Sequence, residues 1–205
     1  MLGTYTEPRI IKNFISRDDC EFIMKYKTLT PDLFEDDTVE CVDDSQIDQH
    51  IKDLIKYDRR LVKISYIGDY SIPVIKKIYN ACAKLIHSSI DCIEKFNITK
   101  YEIGGFFKEH VDEMGEMTGY GIRTHTLIIA LNDSYQEGET EFPYLNKKFK
   151  MKMGDALLFH NLDSNGEYTR LASHRGNVVK SGEKWICNLW IHDKPLPVNE
   201  RMKNI

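Results

Sequence analysis

The residues able to do chemistry fall in two segments. The first is YEIGGFFKEHVD, residues 101–112. A histidine and a carboxylate two positions apart on a strand point to the same side, so His110 and Asp112 can meet one metal ion. Such a pair arises often by chance and gains weight only from a third donor. The second segment, SHRGNVVKSGEKW over residues 173–185, supplies His174. Two histidines and one carboxylate leave three adjacent octahedral positions open, a donor set suited to Fe(II) oxygen chemistry. Further on, Lys184 offers a compact ammonium suited to the far carboxylate of a dicarboxylic acid. Along the final strand Lys184, Ile186, Asn188 and Trp190 share one face. A zinc hydrolase built on the same three donors is a weaker reading, because it leaves Lys184 without a task.

These donors need a strand-rich frame, and the hydrophobic pattern supplies one in the second half of the chain. Residues 96–101 read as a strand, and TLIIAL (126–131) as a strand buried on both faces. In KFKMKM (148–153) lysines alternate with apolar residues, the pattern of a half-buried strand. A turn at Gly154 and Asp155 leads into ALLF (156–159), and the last strand spans 184–192.

The first half has a different period. An apolar run at 10–15 reads as a strand. Ser16 then caps a helix with Asp18 and Asp19 in its first turn and Phe22, Ile23 and Tyr26 on one face. Residues 31–48 are acidic and read as a solvated loop, with a helix expected from Ser45 through Ile55. Ser71 and Pro73 open a third helix with the stripe Ile75, Ile78, Tyr79, Cys82, Leu85 and Ile86. Helices followed by strands predict an α+β fold in one domain over 1–205, with a helical support region over 1–92 and a sheet sandwich over 93–196.

Composition is that of a soluble globular chain, 41% hydrophobic and 29% charged with a formal net charge of −4. That balance offers no general attraction for nucleic acid or anionic membrane. The N-terminus lacks the basic and apolar regions of a secretory signal, and no stretch approaches a membrane span. Five scattered cysteines, none in a C-x-x-C pair, read as reduced thiols. The expectation is an intracellular, cytoplasmic protein.

Residues 93–196 resemble the catalytic domain of the prolyl 4-hydroxylase branch of the 2-oxoglutarate/Fe(II)-dependent dioxygenases. The matching pieces are YEIGGFFKEHVD, RTHTLIIALND, EGETEFP, MGDALLFHN, and H-x-G followed by GEKW and LWIH, in the family's order and spacing. The resemblance implies a double-stranded β-helix (jelly-roll) core with N-terminal helices packed against it. It implies Fe(II) on His110, Asp112 and His174, and 2-oxoglutarate held by Tyr101, Thr126 and Lys184, with Trp190 lining the iron pocket. O2 is the second co-substrate, and ascorbate is the expected reductant. The reaction would release succinate and CO2 while hydroxylating a proline of a peptide or protein. Alternatives are the same chemistry on another amino acid, a small molecule or a nucleobase, or a jelly roll that only binds a partner.

The chain departs from the family pattern at Ala130, where tyrosine is usual, at Val178, where proline is usual, and at Arg175, where a small residue is common. The remaining histidines near strands, His125, His160 and His192, read as structural or surface residues. Glu139 and Glu141 read as part of a structural turn and strand, and Trp185 as core. The glycine-containing segment 113–121 suits a lid over the substrate.

Overall fold

A computed structural model of the chain describes residues 3–28, 35–37, 60–67, 69–113 and 121–197. In chain order the elements are β1 (Arg9–Ile11), α1 (Arg17–Thr28), β2 (Glu35–Asp37), β3 (Arg60–Ile67), α2 (Pro73–Ile86), β4 (Phe96–Tyr101), β5 (Phe106–His110) and β6 (Arg123–Ala130). They continue with β7 (Gln136–Glu137), β8 (Thr140–Phe142), β9 (Lys147–Phe149), β10 (Ala156–His160), β11 (His174–Gly176), β12 (Val179–Ser181) and β13 (Lys184–His192).

The strands form an antiparallel ladder in the order β1-β10-β6-β13-β4-β3-β5-β11-β8-β9. β3 joins two layers: Lys63–Ile67 pairs with β4 and Arg60–Leu61 pairs with β5. The larger layer, β1-β10-β6-β13-β4-β3, buries both faces. Its outer residues, among them Leu127, Ile129, Leu158 and Leu189, pack with Ile23 of α1 and Ile75, Ile78 and Tyr79 of α2. Its inner residues Ile128, Ala130, Leu157, Phe159 and Ile186 meet Phe142 of β8 and Val179 of β12 in a second core between the layers. A strand apolar at every position, as β6 is from Leu127 onward, is what burial on both faces requires. This is the jelly-roll arrangement with helices outside one sheet.

Local chemistry sets the helix ends. The Ser16 backbone N–H and hydroxyl donate to Asp19 Oδ2 at 3.0 and 2.7 Å, and Asp19 N–H donates back to Ser16 Oγ at 3.2 Å. That is a reciprocal capping box with aspartate in the third helical position. α2 begins on Pro73, whose missing N–H costs nothing in a first turn, and ends at left-handed His87.

Several expectations change. The first strand stops at Ile11 rather than running to residue 15, because Asn13 takes a left-handed φ of 51°. The buried face of α1 is Cys20, Ile23 and Lys27, while Phe22 is exposed and stacks on Tyr26. The strand expected over 148–153 is shorter, Lys147–Phe149. The division at residue 92 does not separate helices from sheet, since β1 and β3 both pair within the larger layer. β3 escaped the pattern reading because its neighbours carry helical spacing. Residues 35–37, expected in a loop, pair with Val62–Ile64. The helix over 45–55, most of the proposed lid and Cys41 lie outside the described residues. No helix among the described residues is long and apolar enough to cross a membrane.

Candidate active site

The ladder between β5 and β11 sets His174 directly opposite His110. β5 ends at His110, so Asp112 lies two residues past the strand rather than on it, yet its carboxylate turns to the same side. His110 Nδ1 lies 2.8 Å from Lys108 O, and His174 Nδ1 lies 3.0 Å from Ala172 O. A carbonyl only accepts, so each Nδ1 carries a hydrogen and each Nε2 is the nitrogen turned toward Asp112. These Nε2 atoms lie 3.5 Å from Asp112 Oδ1 and 3.8 Å from Asp112 Oδ2. One donor atom from each of the three residues falls within 4.8 Å of the others.

Electrostatics favour the ligand forms. Burial would raise the Asp112 carboxyl, but His174 and His110 beside it more than offset this and hold it below the usual carboxylate range. Burial pushes His174 down to about 4; Asp112 opposes the shift and His110 adds to it. A carboxylate and two imidazoles facing one point are a donor set that fits a divalent cation. Aromatic rings fix the imidazoles: Phe107 stacks on His110 at 3.7 Å between centroids, and Phe142 and Phe159 hold His174 at 5.4 and 4.8 Å.

A cavity opens from these three residues toward Tyr101, Ile128, Thr140, Gly176, Ile186, Asn188 and Trp190. Beside it lies Lys184, opposite Tyr101 in the β13–β4 register and only 1% exposed. Its Nζ donates to Gly138 O at 2.8 Å and sits 4.7 Å from the Tyr101 ring centroid. Burial pushes this ammonium down to about 8; Glu139 opposes the shift and Lys150 adds to it. Among the described residues no carboxylate lies within ion-pairing distance of it. At Gly176 an added Cβ would touch the Tyr101 ring and hydroxyl at 3.4 Å, an ordinary contact that places the phenol against β11.

Thr126 does something other than expected. Its hydroxyl donates to Asp112 Oδ2 at 2.7 Å, while Asn161 Nδ2 donates to its oxygen at 3.2 Å. The proton expected on a co-substrate is spent orienting the carboxylate. The threonine that lines the cavity is Thr140, paired with Gly176 and buried. It was missed because GETEFP read as a structural turn. The alternation over β8, with Thr140 and Phe142 inward and Glu141 outward, is the signal that finds it.

Trp190 lines the cavity as expected, and its buried Nε1 has no hydrogen-bond partner among the described residues. The Arg123 guanidinium lies 4.2 Å over the indole and makes two bonds to Glu94, at 2.5 and 2.8 Å. His192 Nε2 lies 2.7 Å from the same carboxylate. Burial would raise Glu94, but His192 and Arg123 outweigh it and hold the group below the usual range. Of the departures, Arg175 points away from the cavity and donates to Glu141 at 2.7 Å, and Ala130 is wholly buried between the layers.

Comparison with known proteins agrees with this geometry. A profile described as the 2OG-Fe(II) oxygenase superfamily matches residues 96–192, the span that carries all three clustered donors and Lys184. Over that span the chain is similar to that superfamily. Within it, the similarity is to the prolyl 4-hydroxylase branch. A provisionally named prolyl 4-hydroxylase of Acanthamoeba polyphaga mimivirus is 29% identical over 199 residues, covering 93% of this chain and 76% of the viral one. Human prolyl 4-hydroxylase subunit alpha-1 is 26% identical over 149 residues, 69% of this chain but 28% of the human subunit. The viral collagen prolyl hydroxylase of Paramecium bursaria Chlorella virus 1, solved with 2OG, shares the fold. Its TM-score is 0.68 at 23% identity, over 91% of this chain and 96% of that one. The oxygenase's cofactors are therefore Fe(II) and 2-oxoglutarate, with His110, Asp112 and His174 as the candidate iron site.

Proposed function

We propose that this oxygenase hydroxylates prolyl residues of a peptide or protein. The observation that carries the dioxygenase reading is a buried carboxylate and two converging imidazoles on a cavity lined by Tyr101, with the buried, uncompensated ammonium of Lys184 against the Tyr101 ring beside it. His110, Asp112 and His174 would hold Fe(II). When bound, Fe(II) supplies the O2 activation that couples decarboxylation of 2-oxoglutarate to succinate with hydroxylation of a C–H bond. Lys184 takes the far carboxylate of 2-oxoglutarate, which restores the counter-charge its burial lacks. Tyr101 and Thr140 add hydroxyls at that end. Thr126 holds Asp112 in one orientation, and Ile128, Ile186 and Trp190 keep water from the reacting centre. Ascorbate as reductant belongs to the same proposal.

The prolyl substrate is supported by the relatives' names and by a fold shared with a Trichoplax adhaerens prolyl hydroxylase solved with a hypoxia-inducible-factor peptide fragment. The test is succinate release with Fe(II), 2-oxoglutarate and a panel of proline-containing peptides, followed by mass spectrometry. One added oxygen on proline is expected, and His110→Ala, Asp112→Ala and His174→Ala should each lose both iron and turnover. Oxygen on another residue or compound overturns the prolyl reading alone. Full turnover in a ligand variant overturns the site.

A further inference from the structure

A second histidine pair lies outside the active site. β6 and β10 bring His125 opposite His160, with ring centroids 4.4 Å apart and planes at 52°. The same separation and tilt relate His110 to His174, whose Nε2 atoms converge. The ladder explains the closeness. Asn161 N–H donates to Thr124 O at 2.9 Å, so the adjoining His125/His160 pair is a non-hydrogen-bonded one, with Cα atoms about 4.5 Å apart in the usual geometry. Both side chains leave the sheet on the outer face with Leu127 and Leu158, opposite to Thr126 and Phe159, and both are half-buried. An ion can therefore reach them without entering the catalytic cavity.

One of the two rings, His125, is pinned through Nδ1 as the catalytic imidazoles are. His125 Nδ1 lies 2.9 Å from Thr124 Oγ1, whose own proton is donated to Ile191 O at 3.1 Å. Thr124 must therefore accept, His125 Nδ1 carries the hydrogen, and Nε2 keeps its lone pair. Neither ring nitrogen of His160 has a hydrogen-bond partner among the described residues. Burial, with His160 adding to it, pushes His125 down to about 4; burial and then Arg9 lower His160. Both rings are neutral where a metal would compete for them. Arg9 is exposed, so its charge is screened by water.

We propose that His125 and His160 form a second metal site, for an imidazole-preferring divalent ion of the Zn(II), Ni(II) or Cu(II) class, with water completing the coordination. Two imidazoles suit these ions, whereas Mg(II) and Ca(II) require oxygen donors. The test is equilibrium dialysis against Zn(II). Wild-type protein is expected to bind two equivalents. His125→Gln, His160→Gln and His174→Ala should each bind one, with Mg(II) failing to compete for the outer site. In the unsubstituted protein, the imidazole 15N resonances of His125 and His160 should shift as the second equivalent binds, a measurement that does not depend on any variant folding. A single equivalent in wild type, two in His160→Gln, or His125 and His160 resonances that stay fixed under excess Zn(II) would each overturn the site.

Discussion

Lys184 is a cation kept where water cannot reach it, next to an aromatic ring and a single carbonyl. Its pKa falls from 10.5 to about 8, so it still carries charge at neutral pH but loses it over the next units. Between these two values the unfolded chain binds a proton that the folded chain does not, so stability of the ligand-free protein rises with pH through that window. Affinity for 2-oxoglutarate runs the other way and should fall as pH passes about 8, which isothermal titration across that range measures. At pH 7, Lys184→Ala should weaken 2-oxoglutarate binding by at least about tenfold. Truncating one partner of a buried charge pair typically costs ~2–5 kcal/mol. Iron binding should survive, since the lysine is no ligand. Equal affinities in the two proteins would remove the co-substrate role. The lysine and histidines were legible in the sequence because spacing on strands decides which side a residue faces; Asp112 was legible only as a carboxylate two residues from His110, since it lies past the strand end. Thr126 and Thr140 were not, because the choice between two inward hydroxyls depends on which neighbour takes the proton.

The strands behind the metal donors hold them through packing. β8 delivers Phe142, wholly buried, against His174, Phe149 and Phe159. Phe142→Ala opens a cavity there and should cost about 3–5 kcal/mol in urea unfolding. It should also weaken iron binding, because the His174 ring loses the wall that fixes its plane. Destabilisation with unchanged iron affinity would show that the Nδ1 bond to Ala172 suffices to position the ring. The jelly-roll strands were readable where each face had a consistent character, as in β6 and β13. β3 was not, because it changes partners midway and joins two layers.

Across the whole molecule, folding collects neutral histidines that the unfolded chain would protonate. His174 and His125 are each pushed from 6.5 to about 4. Metal-free protein should therefore lose stability as pH falls from about 6.5 to about 4, where the unfolded state binds protons that the folded state refuses. Thermal melts over that range check this, and His174→Gln should flatten the slope. A melting temperature independent of pH there would mean these rings are not held neutral. Fe(II) binds the folded chain in preference and should raise the melting temperature most near neutral pH, where its ligands need no deprotonation.

Periodicity and spacing in the chain itself determined the two histidines, the carboxylate, the lysine, helices before a sheet-rich half, and the all-apolar run of a strand buried on both faces. These follow from local rules, because a strand alternates and a helix repeats whatever lies beyond it. Tertiary structure decided the rest. It chose which threonine lines the cavity and which holds Asp112, and it turned Arg175 outward. It also set His125 against His160, 35 residues apart in sequence. Each of these depends on the register between strands distant in the chain, and that register is set by how two layers bury their apolar faces together.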